Sequence, residues 1–420
     1  VLRDEKTKVL IMAGGMGEGL TVLTTHRAIA AVPFAARYRL IDFPLSNCVN
    51  SGLYDIGILA QYHPISLMDH LGSGRAWDLD RKYTGLRLLQ PVQTDADNTW
   101  YRGTANALKQ NTAVFRDHDY VLVLPGDIVY KMDYRGLIRQ HRRRRAAVTI
   151  ATAIIDFRDA ERYGIVEVAE DDRIVSFKEK PTASEGTVAS MAVYLFDANY
   201  LRHHLEELGP EQNDLVRDLI IPAVQEGVVH QYPFNGYWSD VDELYNYYKA
   251  NMELLSARPR LDIEDARFPV MTPTDEMPPA KFGPDSHVVR SLVANGSIVN
   301  GKVINSIISR GVYVEEGALV RDSILLGDIK VRGGAAVDRS IVDKHCVVGA
   351  GVRLGHGEVG GPNESHPAWV TGGITVVGKN VELPDGVTVG RHVCISPDTP
   401  AESLADGVES GRTVGEVKHR

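Results

Sequence analysis

The sequence predicts an α/β domain built on a mostly parallel sheet, followed by a parallel β-helix. Three observations carry this. Through about Ser256, short apolar runs alternate with helical patterns, as a sheet covered by helices requires. A Pro-rich stretch from Phe268 to Pro284 then breaks the pattern. Beyond it, apolar residues recur at every sixth position with glycines between them, the periodicity of short coils that bury their apolar side by stacking. At 420 residues the chain exceeds one ordinary core, and the divisions fall at 1–267, 268–284 and 285–420.

Taken in order, Val9 to Met12 reads as a buried strand that emerges into a loop carrying Gly14, Gly15 and Gly17. Such a loop is either a plain tight turn or a phosphate cradle. Residues without Cβ let backbone N–H groups approach an anion, and a following helix would add its dipole. Further strands are expected at Asp55–Ala60, Tyr120–Leu124, Val148–Ile155 and Ala192–Phe196. Asp42, Ser46 and Asn47 fall at the start of the helix between the first two, where Asn47 either pins the loop or contacts a nucleotide. Gln61 follows the second strand, at the C-terminal edge where a doubly wound sheet holds its ligands. Trp100 is expected to pack, buried, on the helix that follows it. Asp127 leaves the strand Tyr120–Leu124 and is either a turn residue or a carboxylate for Mg²⁺, which takes one or two such ligands beside substrate oxygens. Arg142 to Arg145 close the helical segment Tyr134–His141 as a solvated helix end.

In the second half, Ile308, Val314 and Val320, then Val342, Val348 and Leu354, then Val377, Leu383, Val389 and Ile395 set the period, with Val381, Val387 and Val393 on a second line. The stretch His356–Pro367 is expected to loop out, and His356 and His366 read as loop histidines rather than bases for acyl transfer. The balance of 46 basic against 55 acidic residues gives no global attraction to nucleic acid or to an anionic membrane. No stretch approaches the length of a membrane span, the N-terminal VLRDEKTK has no apolar signal region, and three unpatterned cysteines suit a reducing compartment. A cytoplasmic protein is expected.

The stretch Gly14–Leu53, GGMGEGLTVLTTHRAIAAVPFAARYRLIDFPLSNCVNSGL, resembles the signature of the bacterial and plant ADP-glucose pyrophosphorylases, also called glucose-1-phosphate adenylyltransferases. WYRGTANALKQN, Glu179-Lys180-Pro181 and GYWSDVDELYNYYKAN extend the resemblance over nearly the whole chain. It implies a Rossmann-like nucleotidyltransferase domain and a left-handed parallel β-helix of hexapeptide repeats, which mediates subunit contact and effector binding. The reaction implied is ATP plus glucose 1-phosphate to ADP-glucose plus pyrophosphate, with Mg²⁺. By the same resemblance Gly14, Gly15, Gly17, Gln61 and Gly103 hold the nucleotide, and Tyr101, Gly164, Glu179, Lys180 and Ser190 hold the sugar phosphate. Asp127 and Asp240 hold the metal, and Asp127 and Lys180 are the catalytic pair. A homo- or hetero-tetramer with a small-molecule allosteric effector completes the expectation.

The chain departs from the family pattern within the site. Gly19 stands for an Arg, Ile29-Ala30 for Lys-Pro, Asn106 for Asp, Ile128 for His, Ala192 for Gly, and Asp242-Glu243 for Gly-Thr. The missing cations would neutralise charge developing on the departing phosphates. Two readings follow: an enzyme, or a non-catalytic regulatory subunit that modulates a catalytic homologue. Arg27 and Lys131 are the candidates for a substitute cation, and Gly19→Arg with Ile29→Lys is expected to raise the activity of a dormant site.

Overall fold

The computed structural model describes residues 6–91, 100–182, 186–274 and 276–416, so the expected motif beginning at Asp95 is described only from Trp100. Among these residues nine strands form one sheet. They are β1 (Thr7–Ala13), β2 (Asp55–Ala60), β3 (Gly85–Leu89), β4 (Tyr120–Pro125), β5 (Val148–Ile154), β6 (Gly164–Val168), β7 (Ile174–Glu179), β8 (Val188–Asp197) and β9 (Val229–Pro233). The order is β7-β6-β8-β4-β1-β2-β3, with β5 pairing β8 and β9. Pairing is parallel from β3 to β4 and antiparallel where β8 meets β4 and β5. The sheet is therefore mixed rather than mostly parallel, because β8 runs against β4, β5 and β6 and β7 runs against β6.

β1 sits inside because it is covered on both faces. Val9 and Ile11 enter one core and Leu10 the other, all fully buried, so the strand needs no polar alternation. The helix Asp42–Asn50 leads to β2 and starts at Asp42, which puts Ser46 and Asn47 in its body rather than at its start. The loop after β1 does not open an α-helix. It forms a six-residue 3₁₀ turn, Glu18–Leu23, broken at Thr21 with φ 50°, so the expected helix dipole is missing there. The helix Tyr134–Arg144 ends in exposed arginines, as expected, with Arg144 paired to Asp172 at 2.8 Å.

From Lys281 to Val414 short strands stack into three parallel sheets, the cross-section of a β-helix. Ile308, Leu325 and Val342 stack in one sheet, Val314, Val331 and Val348 in the second, and Val320, Val337 and Leu354 in the third. Successive hexads thus supply the three sides of a coil. The central coils are 17 residues, as the ladder of Ser306, Ser323 and Ser340 makes visible, because the third side is one residue short. The segment His356–Pro367 lies between Leu354 and Thr375 outside the strands.

The two halves are joined by a buried ion pair. Arg27 Nη2 donates to both carboxylate oxygens of Asp343 at 2.8 Å, with the two side chains 2% and 0% exposed.

Candidate active site

The C-terminal ends of β1, β2 and β4 deliver Gly14 and Gly15, Gln61, and Asp127 to one cavity of about 450 Å³, which Tyr101 and Gly103 also line. Gly126 has to be glycine, since a Cβ there would lie 2.8 Å from the Met12 carbonyl oxygen. Gly17 does not line this cavity. It takes φ 69° and folds the loop back on itself, its carbonyl accepting from Thr24 Oγ1 at 2.8 Å. Ile29 packs beneath it, an apolar side chain where the family pattern has a lysine.

Gln61 donates to the Tyr101 carbonyl at 3.3 Å, while its side-chain oxygen is buried and has no donor among the described residues. The Tyr101 hydroxyl accepts from Asn111 at 3.0 Å. Gly103 permits a close backbone approach, as a Cβ would lie 2.4 Å from the Asn213 carbonyl oxygen. Asn106 accepts from the Arg102 N–H at 3.2 Å, so it serves the turn at the head of the helix Thr104–Gln110. Trp100 is not buried as expected. It is 61% exposed and stacks on Tyr62, with ring centroids 5.7 Å apart, because its helix has no apolar face left to cover it.

A short antiparallel ribbon brings the second carboxylate in. Ile128–Tyr130 pairs with Trp238–Asp240 in a register that sets Asp240 opposite Ile128, beside Asp127. Burial and then the charge of Asp242 push the Asp127 carboxyl up to about 6. Asp240 is raised well above the ordinary carboxylate range by burial, then by Asp242 and Asp127, against the pull of Arg162. Hard carboxylate oxygens whose ionised forms are disfavoured until a cation arrives are a fitting donor pair for Mg²⁺ completed by substrate oxygens. Asn47, by contrast, is structural. Its amide donates to the Tyr130 carbonyl at 3.1 Å and accepts from Met132 N–H at 3.2 Å, fixing the chain just beyond Asp127.

The residues expected on the sugar side form a second cluster. Glu179 Oε2 lies 2.9 Å from where a Cβ on Gly164 would stand, so the carboxylate is seated against that glycine. Lys180 follows with φ 43°, its N–H donating to the Tyr163 carbonyl at 3.1 Å. Ser190 donates to the hydroxyl of Tyr194 at 3.3 Å, and Tyr194 lines the cavity that holds Gly14, Gln61 and Asp127, which connects the two clusters. Ala192 holds φ 56° in the irregular stretch of β8 between Ser190 and Tyr194. Burial raises the Glu179 carboxyl, Lys180 draws it down, and Asp214 raises it again, which makes Asp214 a further member of the cluster. The sequence reading missed it, as it missed Arg162. The residue before a Tyr-Gly pair and a lone Asp in a loop carry no signal of their own.

Neither expected substitute cation serves the site. Arg27 is committed to Asp343, and Lys131 to the Asp262 carbonyl at 2.8 Å with Asp265 at 3.8 Å. From Gly14 to Thr25 the loop contains no Lys or Arg. Arg162 faces the added acids instead, 3.3 Å from Asp242 and 3.9 Å from Glu243.

Comparison with known proteins agrees with this geometry. Residues 8–257 match the nucleotidyl transferase family, and residues 278–377 the GlmU-like C-terminal hexapeptide family. The chain is 46% identical over 419 residues to the glucose-1-phosphate adenylyltransferase of Thermomicrobium roseum, covering 97% of each chain. It is 38% identical over 412 residues to that of Acetivibrio thermocellus, covering 96% of each. With that of Thermotoga maritima it shares 39% identity over 413 residues, covering 96% of this chain and 97% of the relative. A nucleotidyltransferase sheet with an Asp127–Asp240 ribbon, continued by a hexapeptide β-helix and matched end to end by these enzymes, makes the chain a member of the glucose-1-phosphate adenylyltransferase family.

Proposed function

We propose that the chain is a subunit of an ADP-glucose-synthesising assembly, binding ATP, glucose 1-phosphate and Mg²⁺ but turning over slowly alone and acting chiefly on a catalytic homologue. The observation that carries the binding half is the ribbon register, which sets Asp240 beside Asp127. The absence of Lys and Arg from the loop carries the other half.

In this reading the N–H groups of Gly14 and Gly15 face the polyphosphate, with Gly103 leaving room for the base. The unpaired oxygen of Gln61 accepts from the exocyclic amine of adenine. Glu179 and Ser190 take sugar hydroxyls beside Gly164 and Tyr101, and Lys180 holds the sugar's phosphate as a point charge. The phosphate oxygen of glucose 1-phosphate attacks the α-phosphorus of ATP, and the bond to pyrophosphate breaks. Held by Asp127 and Asp240, Mg²⁺ would neutralise phosphate charge. Without the loop cations, departure of pyrophosphate lacks donors whose individual loss costs about 10²- to 10³-fold.

The halves divide at 268–284, and the β-helix serves subunit contact in a homo- or hetero-tetramer. Between the halves a cleft of about 340 Å³ is lined by Arg37, Arg39, Arg310 and Lys344. Burial and then the charges of Arg39, Arg27 and Arg310 push Lys344 down to about 7, so the cleft suits an anionic small-molecule effector. Three free, buried cysteines accord with a cytoplasmic protein. Equilibrium binding of ATP with and without Mg²⁺ tests the binding half. Affinity should rise with Mg²⁺ in the native chain and lose that dependence in Asp127→Asn and Asp240→Asn. A native chain indifferent to Mg²⁺ would overturn it.

A further inference from the structure

Asp127, Asp240, Asp242 and Glu243 meet Arg162 at the end of the ribbon. Beyond Asp240 the chain turns so that the Asp242 N–H donates to the Asp240 carboxylate at 3.1 Å, which keeps the added acids beside the candidate metal pair. Arg162 closes the 3₁₀ turn Phe157–Arg162 and comes from another part of the chain. Its Nη2 lies 3.3 Å from Asp242 and its Nε 3.9 Å from Glu243. The guanidinium is also tethered. It donates to the Tyr163 hydroxyl at 3.2 Å and lies 5.1 Å over that ring, which packs on Trp238 of the ribbon with centroids 4.8 Å apart.

Other cations share this face, and burial separates them. Arg158, Arg162, Lys249 and Arg260 line one cavity with Asp240. Arg158, Lys249 and Arg260 are exposed, with Arg158 bound to Asp156 at 2.6 Å and Arg260 over the Tyr237 ring at 5.9 Å, so solvent screens their charges. Arg162 is half-buried, and its charge reaches the pair: burial and the neighbouring acids raise the Asp240 carboxyl, and Arg162 pulls against them. A guanidinium stays charged and has no lone pair for a metal. It therefore repels any cation that approaches the carboxylates it neutralises.

We propose that Arg162 is a resident counter-cation of this acid cluster, which competes with the divalent cation and lets go of Asp242 and Glu243 when the metal arrives. The inference rests on the reading that Asp127 and Asp240 hold Mg²⁺. The coupling is reciprocal: whatever Arg162 takes from metal affinity, the metal takes from the hold of Arg162 on the acids. Asp242 and Glu243 are also the residues packed against Gly19, so through this pair metal occupancy is felt at the glycine-rich loop after β1.

The test is equilibrium binding of Mn²⁺, as the probe for Mg²⁺, to the full chain without nucleotide, with free Mn²⁺ followed by electron paramagnetic resonance. Arg162→Gln should bind Mn²⁺ about fivefold more tightly than the native chain, the effect of removing one nearby positive charge. Arg162→Lys keeps the charge and should stay within about twofold of native. A purely structural arginine would give the opposite sign, since its loss would loosen the site and weaken the metal. Affinity unchanged or weakened in Arg162→Gln, or Arg162→Lys as tight as Arg162→Gln, would overturn the proposal while native binding that is lost in Asp127→Asn and Asp240→Asn left the metal reading standing. A native chain that does not bind Mn²⁺ would overturn that reading and the proposal with it.

Discussion

Asp242 changes the chemistry of its neighbours more than any other departure. Its charge is the leading electrostatic cause raising both Asp127 and Asp240. A carboxyl raised on folding stabilises the protein below its unfolded value, and that contribution is lost as pH rises, for Asp127 through about 6. The metal-free chain should accordingly lose stability between about pH 4 and 6 from this group, and its Mg²⁺-dependent ATP affinity should rise over the same window. Asp242→Asn should move the midpoint of that rise down by about one pH unit, about 1.4 kcal/mol. A midpoint unmoved in a pH titration of ATP binding would show that the charge does not reach the pair. Ala192 invites a simpler change. Held at φ 56°, it bears a left-handed penalty that glycine escapes, so Ala192→Gly should stabilise the chain by about 1 kcal/mol in urea unfolding. An equal or lower midpoint would contradict this.

At the scale of elements, the glycine-rich loop after β1 and the segment after the ribbon fit each other. A Cβ on Gly19 would stand 2.5 Å from the Asp242 carbonyl oxygen and 3.4 Å from Glu243 Cα. The loop has closed onto the position an arginine side chain would need, so Gly19→Arg with Ile29→Lys should not restore a dormant site, against what the sequence alone suggests. It should destabilise the chain by about 2–3 kcal/mol through overpacking and leave pyrophosphate release no higher. A gain in activity from the double change alone would contradict this packing argument. What the sequence revealed follows the same physics. β1, β2, β4, β5 and β8 are apolar on both faces and legible. β6, β7 and β9 were not, since β7 carries Ser176 and Lys178 and β9 carries His230 and Gln231. The hexads were legible within a coil and lost where a 17-residue coil drops one position, whereas the 18-residue coil from Val377 to Ile395 keeps the period across its turn. Asp127 and Asp240 were named from a family motif. Their adjacency depends on two three-residue strands, too short to leave a period.

Across the whole molecule, the Arg27–Asp343 pair ties the α/β sheet to the β-helix, both side chains out of water. Removing one partner strands a buried charge, so Asp343→Ala should cost about 3–5 kcal/mol and lower the cooperativity of thermal unfolding. Two-domain unfolding unchanged in calorimetry would mean that the pair carries no coupling. The same commitment of Arg27 is why the site stays short of cations, and that shortage is the centre of the account. It is tested most directly by pyrophosphate release from ATP, glucose 1-phosphate and Mg²⁺, by the purified chain alone and then mixed with a catalytic homologue. Release alone about 10²-fold or more below the homologue, with altered kinetics in the mixture, is the predicted result. Turnover alone at the homologue's rate would contradict it.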